Sequence, residues 1–314
     1  MKRILLASPR GYCAGVERAI QTVERMLDRH GPPVYVRRQI VHNAHVVAEL
    51  ERRGAVFVED ETQVPIGSVV VLSAHGVAPD VHANARRRDL EVIDATCPLV
   101  TKVHTEARRF AGRGVTILLI GHAGHDEVIG TTGQAPDDTV LVQTVADAET
   151  VTVPDPARVA YLSQTTLSVD DTAEIVGVLR RRFPAIAGPP SEDICYATQN
   201  RQQAVKELAA RSDVVLVIGS ANSSNSNRLV EVAHAAGVAA HLIEDESGID
   251  PGWIDGAETI GLTAGASAPE RLVARVVARL RTMGAEDVSE VRTAEEHVTF
   301  GLPLAARGAA AATV

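Results

Sequence analysis

Cys13, Cys97 and Cys195 are the only thiols in a chain of 314 residues. They lie too far apart for a zinc finger or a local CxxC redox pair. Brought together by a fold, three thiolates suit an iron–sulfur cluster with one iron left open for chemistry. Cysteine is also a common small core residue, so the surroundings of each must decide. In Gly11-Tyr12-Cys13-Ala14-Gly15 the thiol sits between glycines, which let backbone approach a bulky inorganic group. In Asp94-Ala95-Thr96-Cys97-Pro98 the thiol is followed by a proline that fits the first position of a helix. Asp193-Ile194-Cys195-Tyr196 leads into another helical pattern. A helix N-terminus favours the thiolate and hence metal ligation.

Each cysteine is followed by a helical pattern, an apolar strand and a polar loop. The loops are His42-Asn43, Gly121-His122-Ala123-Gly124-His125, and Gly219-Ser220-Ala221-Asn222-Ser223-Ser224-Asn225. His42 follows Cys13 at nearly the spacing at which His125 follows Cys97 and Ser223 follows Cys195. A second strand and loop close each third, at Ala74-His75-Gly76, Gln164-Thr165-Thr166 and Ala266-Ser267. These loops supply neutral donors: His42, His75, His125, Thr165, Ser223, Ser224, Asn225 and Ser267. Amides and dipoles where helices begin bind phosphate groups. The plainer account is helix capping and solvated turns. The chain has no Walker-type lysine motif, which argues against a nucleoside triphosphate site. Asp126 and Glu127 follow His125. Either carboxyl suits proton delivery in a pocket, or simply first-turn helix charge, and spacing does not choose between them.

The elements that must position these loops alternate. Apolar runs at 4–7, 34–36, 69–73, 116–120, 159–163, 214–218 and 259–263 read as strands. Amphipathic patterns at 15–29, 98–112, 169–182, 199–210 and 269–281 read as helices. Such alternation predicts an α/β fold with parallel sheets. Ligands of such sheets bind beyond the carboxyl ends of the strands. The repeat predicts three α/β domains in a pseudo-threefold trefoil, over residues 1–96, 97–193 and 194–282. A C-terminal extension follows over 283–314. Its Ala-rich end, 305–314, has little to bury and is expected to fray. The bland alternative is that strand ends are always polar and that the periods agree by chance.

The formal net charge of −9 argues against nucleic acid or an anionic membrane as the main partner. An odd cysteine count in a long chain points to a reducing compartment rather than a disulfide framework. The apolar run after Met1-Lys2-Arg3 is too short for a signal peptide. No stretch approaches the roughly 18 apolar residues of a spanning helix. A cytoplasmic protein is expected.

The segments GYCAGVERAI, VHN, SAHGV, DATCPLVTKVH, GHAGHDEVIGTTGQ, SQTTLSVDDT, DICYATQNRQ, GSANSSNSNRL and TAGASAP together resemble the 4-hydroxy-3-methylbut-2-enyl diphosphate reductase family. The resemblance runs in order through nearly the whole chain. It implies a trefoil around one 4Fe-4S cluster held by Cys13, Cys97 and Cys195, its fourth iron open to the substrate hydroxyl. It assigns the diphosphate to His42, His75, His125, Ser223, Ser224, Asn225 and Ser267. Glu127 becomes the proton-relay acid, and Thr165 orients the substrate hydroxyl. Asp126 is an unusual second acid, placed to tune the pKa of Glu127. The implied reaction is reductive dehydroxylation to isopentenyl and dimethylallyl diphosphate, the last step of the non-mevalonate isoprenoid pathway. The implied electron donor is of ferredoxin or flavodoxin type, and the enzyme a monomer or homodimer. Two other readings stay open from the residues: a redox or oxygen sensor using the same cluster, and an α/β phosphatase or sugar-phosphate enzyme with inert thiols.

Overall fold

The computed structural model describes residues 2–307. In chain order these form β1 (Lys2–Ser8), α1 (Ala14–His30), β2 (Val34–Arg37), α2 (Ala44–Arg52), β3 (Ala55–Val58) and β4 (Val69–Leu72). Next come α3 (Pro79–Arg87), β5 (Glu91–Asp94), α4 (Pro98–Ala111), β6 (Thr116–Ile120), α5 (Asp126–Thr132) and β7 (Thr139–Val142). Then follow α6 (Val145–Thr150), β8 (Val159–Ser163), α7 (Val169–Arg182), α8 (Tyr196–Ala209) and β9 (Val214–Ile218). The last are α9 (Ser224–Ala235), β10 (Ala239–Ile243), α10 (Pro251–Ile254), β11 (Thr259–Ala264), α11 (Glu270–Thr282) and β12 (Ala285–Arg292).

The chain divides into two compact units. The first comprises Met1–Ala14, His42–Val46 and Cys195–Val298. It holds one parallel sheet in the order β10-β9-β11-β1-β12. β9 shows why the sheet forms. All five of its residues are buried. Val214, Leu216 and Ile218 enter one apolar cluster with Leu272, Val273, Val276 and Leu280 of α11. Val215 and Val217 enter another with Val205 and Leu208 of α8 and Leu229 of α9. Side chains alternate across a strand, so a run without polar residues can only be satisfied by helices on both faces.

The second unit comprises Gly15–Val41, Val47–Ile194 and Thr299–Val314. It holds two parallel sheets, β3-β2-β4-β5 and β7-β6-β8. In the second sheet Ile117 and Leu119 pack with Val103, Ala107 and Phe110 of α4. Leu118 and Ile120 face the other way, onto Ile175, Val178 and Leu179 of α7. The expected α/β class with parallel sheets is what the chain forms.

Sheet membership departs from chain order in two places. The run at 4–7, placed in the first domain by sequence order, pairs with β11 and β12 instead of β2. The expected C-terminal extension contributes β12, which covers the free edge of β1. β12 is mostly exposed and polar, so it carries no apolar signal. Of the 305–314 tail, Ala306 is buried at the end of a short 3-10 turn, Leu304–Ala306. That residue is therefore packed, contrary to expectation, while 308–314 lie outside the described residues. The helix expected over 199–210 starts earlier, at Tyr196, directly after Cys195.

Candidate functional site

In the first unit the strand-end loops are tied to one another by hydrogen bonds. Cys195 is the N-cap of α8, and its Sγ accepts from the Thr198 amide at 3.4 Å. The Thr198 hydroxyl lies 3.2 Å from the same sulfur and accepts from Asn225 Nδ2 at 3.3 Å. Asn225 Oδ1 accepts from the Ala266 amide at 2.9 Å, and the Ala266 carbonyl accepts from the Cys13 amide at 3.3 Å. Ser267 donates its hydroxyl to the His42 carbonyl at 2.8 Å. Asn222 Nδ2 stands 3.4 Å from His42 Nδ1. Ser223 caps α9 by accepting from the Ser226 amide and hydroxyl, and Ser224 opens that helix. Gly219 and Gly265 directly follow β9 and β11, and a Cβ at either would collide with Ser226 Oγ. Their lack of a side chain is what lets the first turn of α9 sit between these two strand ends.

In the second unit the same device recurs. Cys97 is the N-cap of α4, and Pro98 occupies the first turn. The Cys97 amide donates to the Ala74 carbonyl at 3.0 Å, which ties it to the loop bearing His75. Gly76 in that loop has φ +77°, and α5 approaches so closely that a Cβ on Gly130 would lie 3.2 Å from the Gly76 carbonyl. The His75 and His125 rings consequently meet edge to face, 6.0 Å between centroids. His125 caps α5, its Nδ1 accepting from the Glu127 amide at 3.2 Å.

Glu127 is 2% exposed. Its Oε1 accepts from the Thr165 amide at 2.6 Å and its Oε2 from the Thr165 hydroxyl at 3.1 Å. Burial pushes its carboxyl up to about 7 against the pull of those two bonds, and the negative charge of Asp193 adds to the rise. A buried carboxyl poised near neutrality and bonded to a hydroxyl is a proton donor in waiting. Asp126 faces elsewhere. It pairs with Arg38 and stands 4.0 Å from His75 Nδ1. The expectation that Asp126 tunes Glu127 is corrected here: the charge that raises Glu127 is that of Asp193. Asp193 is itself fixed by Lys102 at 3.1 Å and by the Ser163 amide at 3.0 Å.

The family model described as LytB protein matches residues 4–281. The chain belongs to the LytB family, that of the 4-hydroxy-3-methylbut-2-enyl diphosphate reductases. A relative of that name from Acidothermus cellulolyticus is 63% identical over 303 residues, 96% of this chain and 89% of the relative. One from Mycobacterium tuberculosis is 62% identical over 303 residues, 96% of this chain and 90% of the relative. The solved reductase of Plasmodium falciparum superposes with a TM-score of 0.94 at 40% identity, covering 97% of this chain and 96% of that one.

For this LytB family member, the structure collects the sequence-predicted residues in two sets. Cys13, Cys195, His42, Ser223, Ser224, Asn225 and Ser267 share the strand-end loops of the first unit. Cys97, His75, His125, Glu127 and Thr165 share those of the second. None of the three cysteines is in a disulfide, and each is partly buried just before a helix. Each is the kind of donor an iron–sulfur cluster takes, a thiol at a helix N-terminus, and Thr198 is bonded to the Cys195 sulfur. Sequence reasoning missed Thr198, Ser226 and Asp193. Each is buried and polar, and hydrophobic periodicity discards such residues. The one available signal was their position within three residues of a residue already singled out.

Proposed function

We propose that this chain reduces 4-hydroxy-3-methylbut-2-enyl diphosphate to isopentenyl and dimethylallyl diphosphate, using a 4Fe-4S cluster held by Cys13, Cys97 and Cys195. Family membership supports the substrate and the reaction. Two solved relatives carry the reductase name, one of them called the terminal enzyme of the non-mevalonate pathway, with a TM-score of 0.63 at 31% identity. The observation that carries the chemistry is the buried Glu127–Thr165 pair. When bound, the cluster supplies single electrons and an open iron that acts as a Lewis acid on the departing oxygen.

The remaining work belongs to this chain. His42, Ser223, Ser224, Asn225 and Ser267 offer neutral donors beside the start of α9, and His75 and His125 offer two more; together they bind the diphosphate. Thr165 orients the substrate hydroxyl. Glu127, largely protonated below neutrality, passes a proton through Thr165 to the leaving oxygen. Two electrons and two protons replace the hydroxyl by hydrogen and release water. A one-electron protein donor of ferredoxin or flavodoxin type supplies the electrons. No helix among the described residues is long and apolar enough to cross a membrane, and oxygen-labile thiolate chemistry suits a reducing cytoplasm. The proposal keeps the trefoil, with one thiol from each third. Anaerobic turnover with a reduced viologen tests it: the two five-carbon diphosphates should appear, and a Glu127→Gln chain should keep its visible spectrum while losing turnover. Equal turnover in that variant removes the proton role.

A further inference from the structure

Arg201 lies on α8 and is completely buried, at 0% exposure. A guanidinium removed from water must have its donors met and its charge paired. Every nitrogen of Arg201 is engaged. Nε donates to the Gly11 carbonyl at 3.1 Å, and Nη2 donates to the same oxygen at 2.7 Å and to the Tyr12 carbonyl at 3.2 Å. Nη1 donates to the Ala197 carbonyl at 3.0 Å and to Glu296 Oε1 at 2.9 Å, and Nη2 reaches Glu296 Oε2 at 3.3 Å. Gly11 and Tyr12 are the two residues before Cys13, and Ala197 is the second after Cys195. One side chain therefore bonds the backbone beside two of the three thiols.

Other bonds make the same connection. The Ala14 amide, just past Cys13, donates to the Tyr196 hydroxyl, just past Cys195, at 3.2 Å. Gly11 sits at φ +66°, and a Cβ there would come to 3.0 Å from the Ala268 carbonyl. Glu296 is braced in turn by Asn200 Nδ2 at 3.0 Å. A lysine could not reproduce this fork, because it offers one nitrogen where three are used.

We propose that Arg201, charge-balanced by Glu296, is a positioning residue that sets the separation of the Cys13 and Cys195 thiols and so the hold of this pair on iron. The proposal rests on the assignment of these cysteines as cluster ligands. It gives the segment after β12 a role: it closes the clamp over α8. Partners outside the ligand shell usually change metal affinity by about 10- to 100-fold when removed.

The test uses reconstituted Arg201→Gln, Arg201→Lys and Glu296→Gln chains under anaerobic conditions. Iron loss to a chelator should speed up about 10-fold or more in the first and third, with Arg201→Lys between them and wild type. The far-ultraviolet circular dichroism of each should stay that of a folded chain at the assay temperature. Glu296→Gln decides the matter if Arg201→Gln does not fold, since the Glu296 side chain is already 15% exposed. A folded variant with a lowered melting point but wild-type iron loss and reduction potential overturns the proposal, leaving the pair a structural brace. A second readout needs no iron: the rate at which a short bifunctional thiol reagent bridges Cys13 and Cys195 in a metal-free Cys97→Ser chain. It should fall several-fold on adding Glu296→Gln. An unchanged rate overturns the clamp, whereas a wild-type chain that takes up no iron overturns the cluster assignment instead.

Discussion

Replacing Glu127 by Gln removes one titration from the protein and leaves the shape of the side chain intact. In the folded chain this carboxyl is pushed from 4.5 up to about 7 by burial, with Asp193 adding to the effect. Each unit of pKa is about 1.4 kcal/mol, so the neutral form is favoured by about 3 kcal/mol relative to the unfolded chain. The sign follows from proton counting. Between pH 4.5 and about 7 the folded state binds a proton that the unfolded state has lost. The Glu127 contribution is therefore complete below 4.5, falls as pH rises, and is gone above about 7. A glutamine cannot lose a proton, and its carboxamide can still accept from the Thr165 amide. The stability of Glu127→Gln relative to wild type should thus rise by about 3 kcal/mol from pH 4.5 to above 7 and level off there. Denaturant midpoints of both chains, taken at intervals across this range, measure the difference, in which other titrating groups cancel. A difference that stays flat with pH refutes the raised pKa and, with it, the proton store assigned to Glu127.

Other expectations follow from the same geometry. Turnover of the wild type should decline as Glu127 deprotonates above about 7, and Glu127→Gln should lower kcat by about 100-fold or more, in the range for a lost general acid; a pH–rate profile shows both. Asp126→Asn should leave that alkaline limb in place, because Asp126 is paired with Arg38; a shifted limb would restore the tuning role. Gly265→Ala forces its Cβ against Ser226 Oγ and should cost about 1–3 kcal/mol, as overpacking does, together with a raised KM, read from melting and steady-state kinetics. Chelation of iron should abolish turnover yet leave the far-ultraviolet circular dichroism, since each sheet is closed by its own apolar clusters.

What could be seen in the sequence depended on which residues advertise their surroundings. β9 is five apolar residues in a row, and a doubly covered strand was legible from that alone. The thiol-then-helix pattern was legible at Cys97 because Pro98 marks the helix start. β12 was not, because an edge strand that buries only Ala285 and Val291 among mostly polar residues reads as an extension. Nor did chain order show that β1 pairs with β11 and β12, since sheet partners are chosen by packing across long separations. α8 hid most. Its Thr198, Arg201 and Gln202 are buried alongside Ala204 and Val205, so the helix shows no polar stripe, and a fully buried arginine looks like a surface charge until its bonds to Gly11, Tyr12, Ala197 and Glu296 are seen.

The measurement that bears most directly on the whole account is a single-turnover experiment. The chain is purified and reconstituted without oxygen, its iron and sulfide are counted, and it is reduced and mixed with 4-hydroxy-3-methylbut-2-enyl diphosphate. The account predicts a coloured protein that converts the substrate to the two five-carbon diphosphates, and Cys→Ser variants at 13, 97 and 195 that fold but lose both iron and product. A colourless protein that cannot take up iron, or undiminished conversion with all three thiols replaced, contradicts it.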